Sequence, residues 1–367
     1  MKRGCRLILL ICPALLLMAT ACRPPAFLRE MVGKETPATT TEEQYPPPQA
    51  VEPPVQLLFG TVVLTNEPGW GKILPKGRES GGALVLDVLP NTPAQQLGVQ
   101  PGDVISWIDG AEIQNHEQLL VAFRAGKTGQ HEMRIVKADG TTKSVTAQLV
   151  PPGEFSLVRY LEERIASQPG PVVRYLLAEQ LEDHNRAIDI VRALLQEHPE
   201  LPEAHALLAR RLLDRVQASA GDETTAQQSS NDLAEVAREI DTAVQLDPRA
   251  ASIYRARAQI NLTLGQPAKA ESDAAAALRM DDLSAETYYL LGTARLALGR
   301  ANESLAPLHL AVQLDPYVID YYVSLALSYR ALGREDDTRT TLEAGKALVT
   351  DPEVRQRIDE LMNRPAA

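Results

Sequence analysis

Chemistry in this chain would have to come from few side chains: the Cys22 thiol, the Ser80 hydroxyl in Arg78-Glu79-Ser80-Gly81-Gly82, and six histidines. A nucleophilic serine needs a base to take its proton and an acid to orient that base. The first histidine is His116, so none precedes Ser80, and the string reads as a Gly-rich loop entering a strand. The histidines are scattered, and His184 and His309 read as turn or helix-surface residues. All three cysteines lie within the first 22 residues, so none remains beyond Cys22 to build a thiolate site or close a disulfide. His-Glu-x-x-His, Gly-x-Ser-x-Gly and phosphate-loop strings are missing. The expectation is a protein that is not an enzyme, with no cofactor, no metal and no small-molecule substrate.

Cys22 suggests a different chemistry. Met1-Lys2-Arg3 is a short basic start, Leu7 to Met18 is apolar apart from Cys12-Pro13-Ala14, and Ala19-Thr20-Ala21-Cys22 follows. This is the layout of a secretory signal, too short for an ordinary membrane span. Small residues before a cysteine resemble the lipobox of bacterial lipoproteins, with Ala19 where that family prefers Leu. The resemblance implies cleavage after residue 21 and a diacylglycerol thioether on Cys22. It places the chain in the cell envelope, lipid-anchored on the extracytoplasmic side of a bacterial membrane.

The formal charge is −11, and residues 1–22 hold three bases and no acid, leaving −11 − 3 = −14 for the rest. That balance is unsuited to nucleic acid and is read as a solubility feature. Residues 23–56 carry eight prolines, which remove donors and fix φ. They are expected to form a disordered Pro/Thr-rich spacer, reaching on the order of 100 Å if fully extended.

From Leu57 the pattern becomes β-rich. Phe59 to Leu64, Ala83 to Leu89 and Val104 to Ile108 read as strands, Asn115 caps a helix running to Arg124, and Asp139-Gly140 turns a hairpin. The string Leu97-Gly98-Val99-Gln100-Pro101-Gly102-Asp103-Val104-Ile105, with Asp109-Gly110 downstream, resembles the PDZ domain over 57–150. It is most similar to the permuted form that follows trypsin-like domains in periplasmic proteases. In that family an extended peptide adds beside the first strand, its carboxylate held by backbone amides of a hydrophobic-Gly-hydrophobic loop. The resemblance maps that loop onto Phe59, Gly60 and Thr61, and the opposite wall onto His116, Leu120 and Phe123. Leu119, Leu120 and Phe123 serve equally well as core. The insertion from Asn66 to Ser80, with Trp70, lies beside the groove as a candidate flap.

Residues 151–367 are expected to be helical and repetitive. Leu246-Asp247-Pro248, Met280-Asp281-Asp282 and Leu314-Asp315-Pro316 stand 34 apart, as do Tyr254, Tyr288 and Tyr322, and Gly265, Gly299 and Gly333. Small residues recur at the eighth position (Ala258, Gly292, Ala326) and the twentieth (Ala270, Ser304, Thr338). The period strongly resembles the tetratricopeptide repeat, or TPR. Repeats are placed at about 171–199, 202–248 with an inserted loop at 217–230, 251–284, 285–318 and 319–352, with a capping helix at 353–363. Arg255, Tyr289 and Arg330 are the candidate contacts of the TPR surface.

The fold class expected is therefore multidomain: a small β-rich α+β PDZ domain followed by an all-α TPR solenoid. The function expected is a membrane-anchored scaffold or adaptor, binding protein C-termini or extended segments through the two modules. The alternative is a non-catalytic regulator or substrate adaptor of an envelope protease. Few contacts are expected between the domains, since Pro151-Pro152-Gly153 separates them.

Overall fold

A computed structural model describes residues 45–51, 59, 61–65, 81–126, 128–149, 157–167, 170–219, 226–281 and 283–363. Cys22, Gly60 and the 66–80 insertion with Trp70 lie outside the described residues.

The first region is one antiparallel sheet. Its strands are β1 (Thr61–Thr65), β2 (Ala83–Val88), β3 (Val104–Ile108), β4 (Ala111–Glu112), β5 (Gly129–Val136) and β6 (Thr142–Leu149). The order is β1-β2-β3-β5-β6, with β4 paired to β3, so among the described residues β1 ends the sheet. The β5–β6 hairpin closes with Val136 opposite Thr142, through a turn in which Gly140 takes φ of 85°. Two helices accompany the sheet, α1 (Pro93–Gln96) and α2 (His116–Ala125). Asn115 caps α2, its side chain accepting from the Gln118 amide at 2.9 Å. The reciprocal bond lands one residue early, from the Gln114 amide to the Gln118 side chain at 2.7 Å.

The second region is helical: α3 (Leu157–Ser167), α4 (Pro171–Gln180), α5 (His184–Glu197), α6 (Pro202–Ala218), α7 (Ala226–Leu246), α8 (Ala251–Thr263), α9 (Pro267–Leu278), α10 (Ala285–Ala297), α11 (Ala301–Leu314), α12 (Ile319–Ala331), α13 (Glu335–Lys346) and α14 (Pro352–Met362). Consecutive helices pack on one another along the chain, as a solenoid requires. Gly265, Gly299 and Gly333 take φ of 68°, 76° and 73° at the turns inside three successive pairs, a conformation that costs other residues about 1 kcal/mol or more. The small eighth position is explained at Gly292, where a β-carbon would lie 2.5 Å from Leu308 Cγ. Of the loop expected at 217–230, residues 220–225 lie outside the described residues, and both flanks are helical. Gln217 and Ala218 finish α6, and Ala226 to Ser230 begin the 21-residue α7. Polar residues at helical spacing extend the pair along a solvated face.

The two regions are not separate bodies. Successive side chains of a strand point to opposite faces. Along β2, Ala83 and Val85 join the core of the sheet with Phe59, Ile105, Leu119 and Met133. Leu84 and Leu86, with Val104 of β3, join the helical core with Leu161, Val172 and Leu176. Tyr160 of α3 donates to the Asp87 carboxylate at 3.1 Å, and Arg164 lies 3.6 Å from it. The expectation of few interdomain contacts is therefore wrong: the outer face of the sheet is apolar and needs the helices to cover it.

Candidate functional site

The sheet edge at β1 and the helix α2 form the first part of the site. Antiparallel pairing of β1 with β2 uses one edge of β1, and among the described residues no strand occupies the other. An edge of this kind presents unpaired amides and carbonyls to an added strand.

Helix α2 has three different faces. Leu119 and Phe123 are buried in the sheet's core. Phe59 is there too, 1% exposed, its ring centroid 6.1 Å from that of Phe123 and its carbonyl accepting from the Ala94 amide at 2.9 Å. Phe59 and Phe123 thus form the floor beneath the edge. His116 and Leu120, four residues apart, make the half-buried stripe that keeps some surface. Burial, assisted by Arg255, pushes His116 down to about 3, so its imidazole is neutral across the physiological range. Thr61, at the start of β1, is half-buried, and its hydroxyl has no hydrogen-bond partner among the described residues.

The third face of α2, with Glu117 and Arg124 two turns apart, is held by the solenoid. One Glu117 oxygen accepts from the Ser284 hydroxyl at 2.8 Å and the other from the Ala285 amide at 3.0 Å, at the start of α10. Arg255 of α8 lies 3.7 Å from Glu117 and 3.0 Å from Glu286. Burial pushes Glu117 up to about 8 against the pull of Arg255, with Asp281 and Glu286 adding to the rise. At the other end of the helix, Arg124 meets Asp315 at 3.4 Å, both buried. Asn115 reaches Asp281 at 3.3 Å. Asp281 and Asp315 occupy the same position of successive repeats, and Asn115 and Arg124 are about 14 Å apart along the helix axis. Helix α2 therefore spans one repeat and is gripped at both ends.

These contacts change the reading of the solenoid candidates. Arg255 is 7% exposed and faces the protein's own α2. Arg330 donates to the Leu361 carbonyl at 2.8 Å and so fastens the last helix. Tyr289 is half-buried against Tyr321, with ring centroids 5.0 Å apart, and burial raises its pKa. The TPR surface expected at these residues is thus partly filled from within the chain.

A second internal occupant comes from the stretch expected as a disordered spacer. Tyr45 is 5% exposed and belongs to the core of the last repeats. Its carbonyl accepts from the Tyr329 hydroxyl at 3.0 Å and from Arg334 Nη2 at 3.1 Å. Its ring lies 5.4 Å from His309. The expectation that His309 lies on a helix surface is corrected accordingly: it is 8% exposed and 2.5 Å from the Tyr329 hydroxyl. Burial first, then Arg334, pushes it down to about 4, so it is neutral.

Glu117, Arg124, Ser284, Asp315, Leu84, Leu86 and Tyr45 were missed by sequence reasoning. One signal was available. Ala83-Leu84-Val85-Leu86 is apolar on both faces, which in an antiparallel sheet means that neither face meets water. Among the described residues, no group of three histidine, cysteine or acidic side chains is placed to hold a metal ion.

Residues 57–149 match the family model of the PDZ domain. No curated protein matches the chain. Among solved structures, a thermophilic TPR protein of Thermus thermophilus is 23% identical, covering 47% of this chain and 88% of that one with a TM-score of 0.42. YrrB, a TPR protein with an unusual peptide-binding site, is 12% identical over 55% of this chain and 99% of its own, at 0.36. The HtrA-type protease AlgW with a decapeptide is 25% identical over 27% of this chain and 30% of its own, at 0.25. At these TM-scores the likenesses carry no weight beside the helix packing and the 34-residue period. The chain thus joins a small β-rich PDZ-like region to a helical TPR-like solenoid. The family matched at 57–149 is an interaction domain, and no enzyme family is indicated.

Proposed function

We propose that this chain is an adaptor of the bacterial cell envelope. It is anchored by lipid on Cys22 and takes protein C-termini or extended segments beside β1. The observation carrying this reading is the outer edge of β1, next to the half-buried His116–Leu120 stripe and above the Phe59–Phe123 floor. An added strand would gain main-chain hydrogen bonds from the edge and side-chain contact from the stripe. Gly60, by the PDZ resemblance, leaves room for convergent amides around a terminal carboxylate. The solenoid holds α2 from behind, so the groove wall is fixed relative to the repeats before any ligand arrives. That lowers the ordering cost of binding.

The test is a titration of the full chain with peptides bearing free or amidated C-termini. Hydrophobic-ended peptides should bind at micromolar strength, about −8 kcal/mol. Amidation should cost roughly 1.5–3 kcal/mol, the worth of a hydrogen bond to a charged group. Gly60→Val should remove binding while the circular dichroism spectrum is retained. Equal affinity for both peptide forms would rule out a carboxylate cradle. Anchoring is tested separately: Cys22→Ser should abolish lipid labelling and detergent-phase partitioning.

A further inference from the structure

Tyr45 is followed by Pro46, Pro47 and Pro48, and residues 46–51 run without a strand partner or helical structure. Three consecutive prolines have no amide hydrogens, so this segment presents carbonyl acceptors and almost no donors. The surface that receives it presents the complement. Tyr329 and Arg334 both donate to the Tyr45 carbonyl. The Tyr329 hydroxyl, having donated its proton, accepts from His309 Nε2. Arg334 is positioned by Asp337 at 2.6 Å and lies 4.6 Å above the Tyr329 ring. The His309 and Tyr329 rings meet edge-on at 6.0 Å, and the Tyr45 ring stacks on the His309 side. Tyr45 is buried, Pro47 and Pro48 are half-buried, and Pro46 faces water. One aromatic anchor followed by stiff, donor-free backbone is what a cradle of rings and outward-pointing donors fits. Polyproline backbone is also largely ordered before binding, so docking it costs little entropy.

We infer that the surface formed by α11, α12 and the turn that follows α12, around His309, Tyr329 and Arg334, is a recognition site for an extended aromatic-proline segment, occupied here by the chain's own Tyr45-Pro46-Pro47-Pro48. The site is distinct from the β1 groove and does not depend on it. Its natural competitor is a partner segment of the same chemistry: an aromatic residue followed by prolines, with free carbonyls and few amides. The internal segment holds the site closed at high local concentration. A partner gains access by displacing it, which releases the Tyr45 segment from the solenoid. With the lipid anchor of the proposed function on Cys22, occupancy of the site would set how far the folded body stands from the membrane.

The experiment uses a fluorescein-labelled peptide of residues 43–52, titrated by anisotropy into the full chain and its Tyr45→Ala variant. Hydrogen exchange of residues 305–334 is followed in both. The Tyr45→Ala chain should bind the peptide about tenfold or more tightly than the unaltered chain, whose site is filled. Adding Arg334→Ala should weaken that binding, and a peptide with alanine at the three proline positions should bind less well. Exchange of α11 and α12 should quicken in Tyr45→Ala and slow again with peptide. Tyr45→Phe keeps the ring and carbonyl, so it should behave as the unaltered chain. Equal peptide affinity of the two chains, or no binding to Tyr45→Ala, would overturn the recognition site. Unchanged exchange in Tyr45→Ala would overturn the internal occupancy.

Discussion

Helix α2 and the Tyr45 segment are both held by the solenoid, by opposite chemistry. Helix α2 is gripped through ionisable groups: Glu117 beside Arg255 and Ser284, and Arg124 against Asp315. Tyr45 is held through a ring and a carbonyl, with a neutral imidazole beside it. Buried charges cost several kcal/mol each to desolvate, and only close partners offset that cost. Such a contact is accurate in position but costly to open, because each half-broken pair leaves a charge out of water. When the Tyr45 contact opens, its one charged donor, Arg334, keeps its ion pair with Asp337. The contrast makes the α2 contact a permanent joint and the Tyr45 contact an exchangeable one.

The largest test of this contrast is Arg124→Ala. It leaves the buried Asp315 with the Tyr317 amide as a donor but without its cation, and should cost about 3–5 kcal/mol in urea denaturation. Burial already pushes Asp315 up to about 6 against the pull of Arg124. Arg124→Met combined with Asp315→Leu should recover most of the loss, since apolar packing replaces such pairs well. A cost below about 1 kcal/mol for Arg124→Ala would mean that the pair is solvated and the joint open.

Tyr45→Ala should cost less, about 1.5–3 kcal/mol for the apolar area lost, reduced by the chain entropy that residues 45–51 regain. Its effect should fall on α11 and α12 and leave the sheet's hydrogen exchange unchanged. Spread of the effect to β2 and α2 would join the two contacts into one cooperative unit.

A third test uses pH. Burial, against Arg255, raises Glu117 from 4.5 to about 8 in the folded chain. Between those values the folded state holds a proton that the unfolded chain has released. This contribution to stability is therefore complete below about 4.5 and is lost as pH rises through about 8. Relative to Glu117→Gln, the unaltered chain should lose up to about 1.4 kcal/mol per pH unit across that window. Parallel pH profiles of the melting temperature would show that Glu117 stays ionised throughout. The smallest single-residue effect is expected from Tyr329→Phe, about 1–3 kcal/mol for its two hydrogen bonds, to the Tyr45 carbonyl and from His309, with the Tyr45 ring still docked.

The turn glycines, the close-approach residue Gly292 and the β5–β6 hairpin were legible because each is specified by residues near one another in sequence. The hydrophobic stripe of α2 was legible as a stripe, but not its division. Phe123 and Leu120 look alike in the pattern, and only packing makes one a floor and the other a half-open wall. Arg255 looked solvent-facing because its repeat position usually is. Its partner Glu117 lies 255 − 117 = 138 residues away, and no spacing rule connects them. Tyr45 was hidden for a different reason: eight prolines announce an extended chain, and extension is compatible with both a free tether and a docked one.

By itself the sequence determined the two fold types, the repeat length and the sheet's turns, because period, alternation and capping are local and recur in the chain. Tertiary structure alone decided that the sheet and the solenoid share a core through β2, that α2 spans one repeat, and that Tyr45 closes a cradle on α11 and α12. Those contacts join residues far apart in the chain, and their physical basis is complementarity of shape and charge. Sequence records each half of such a pair without recording which surface the other half will meet.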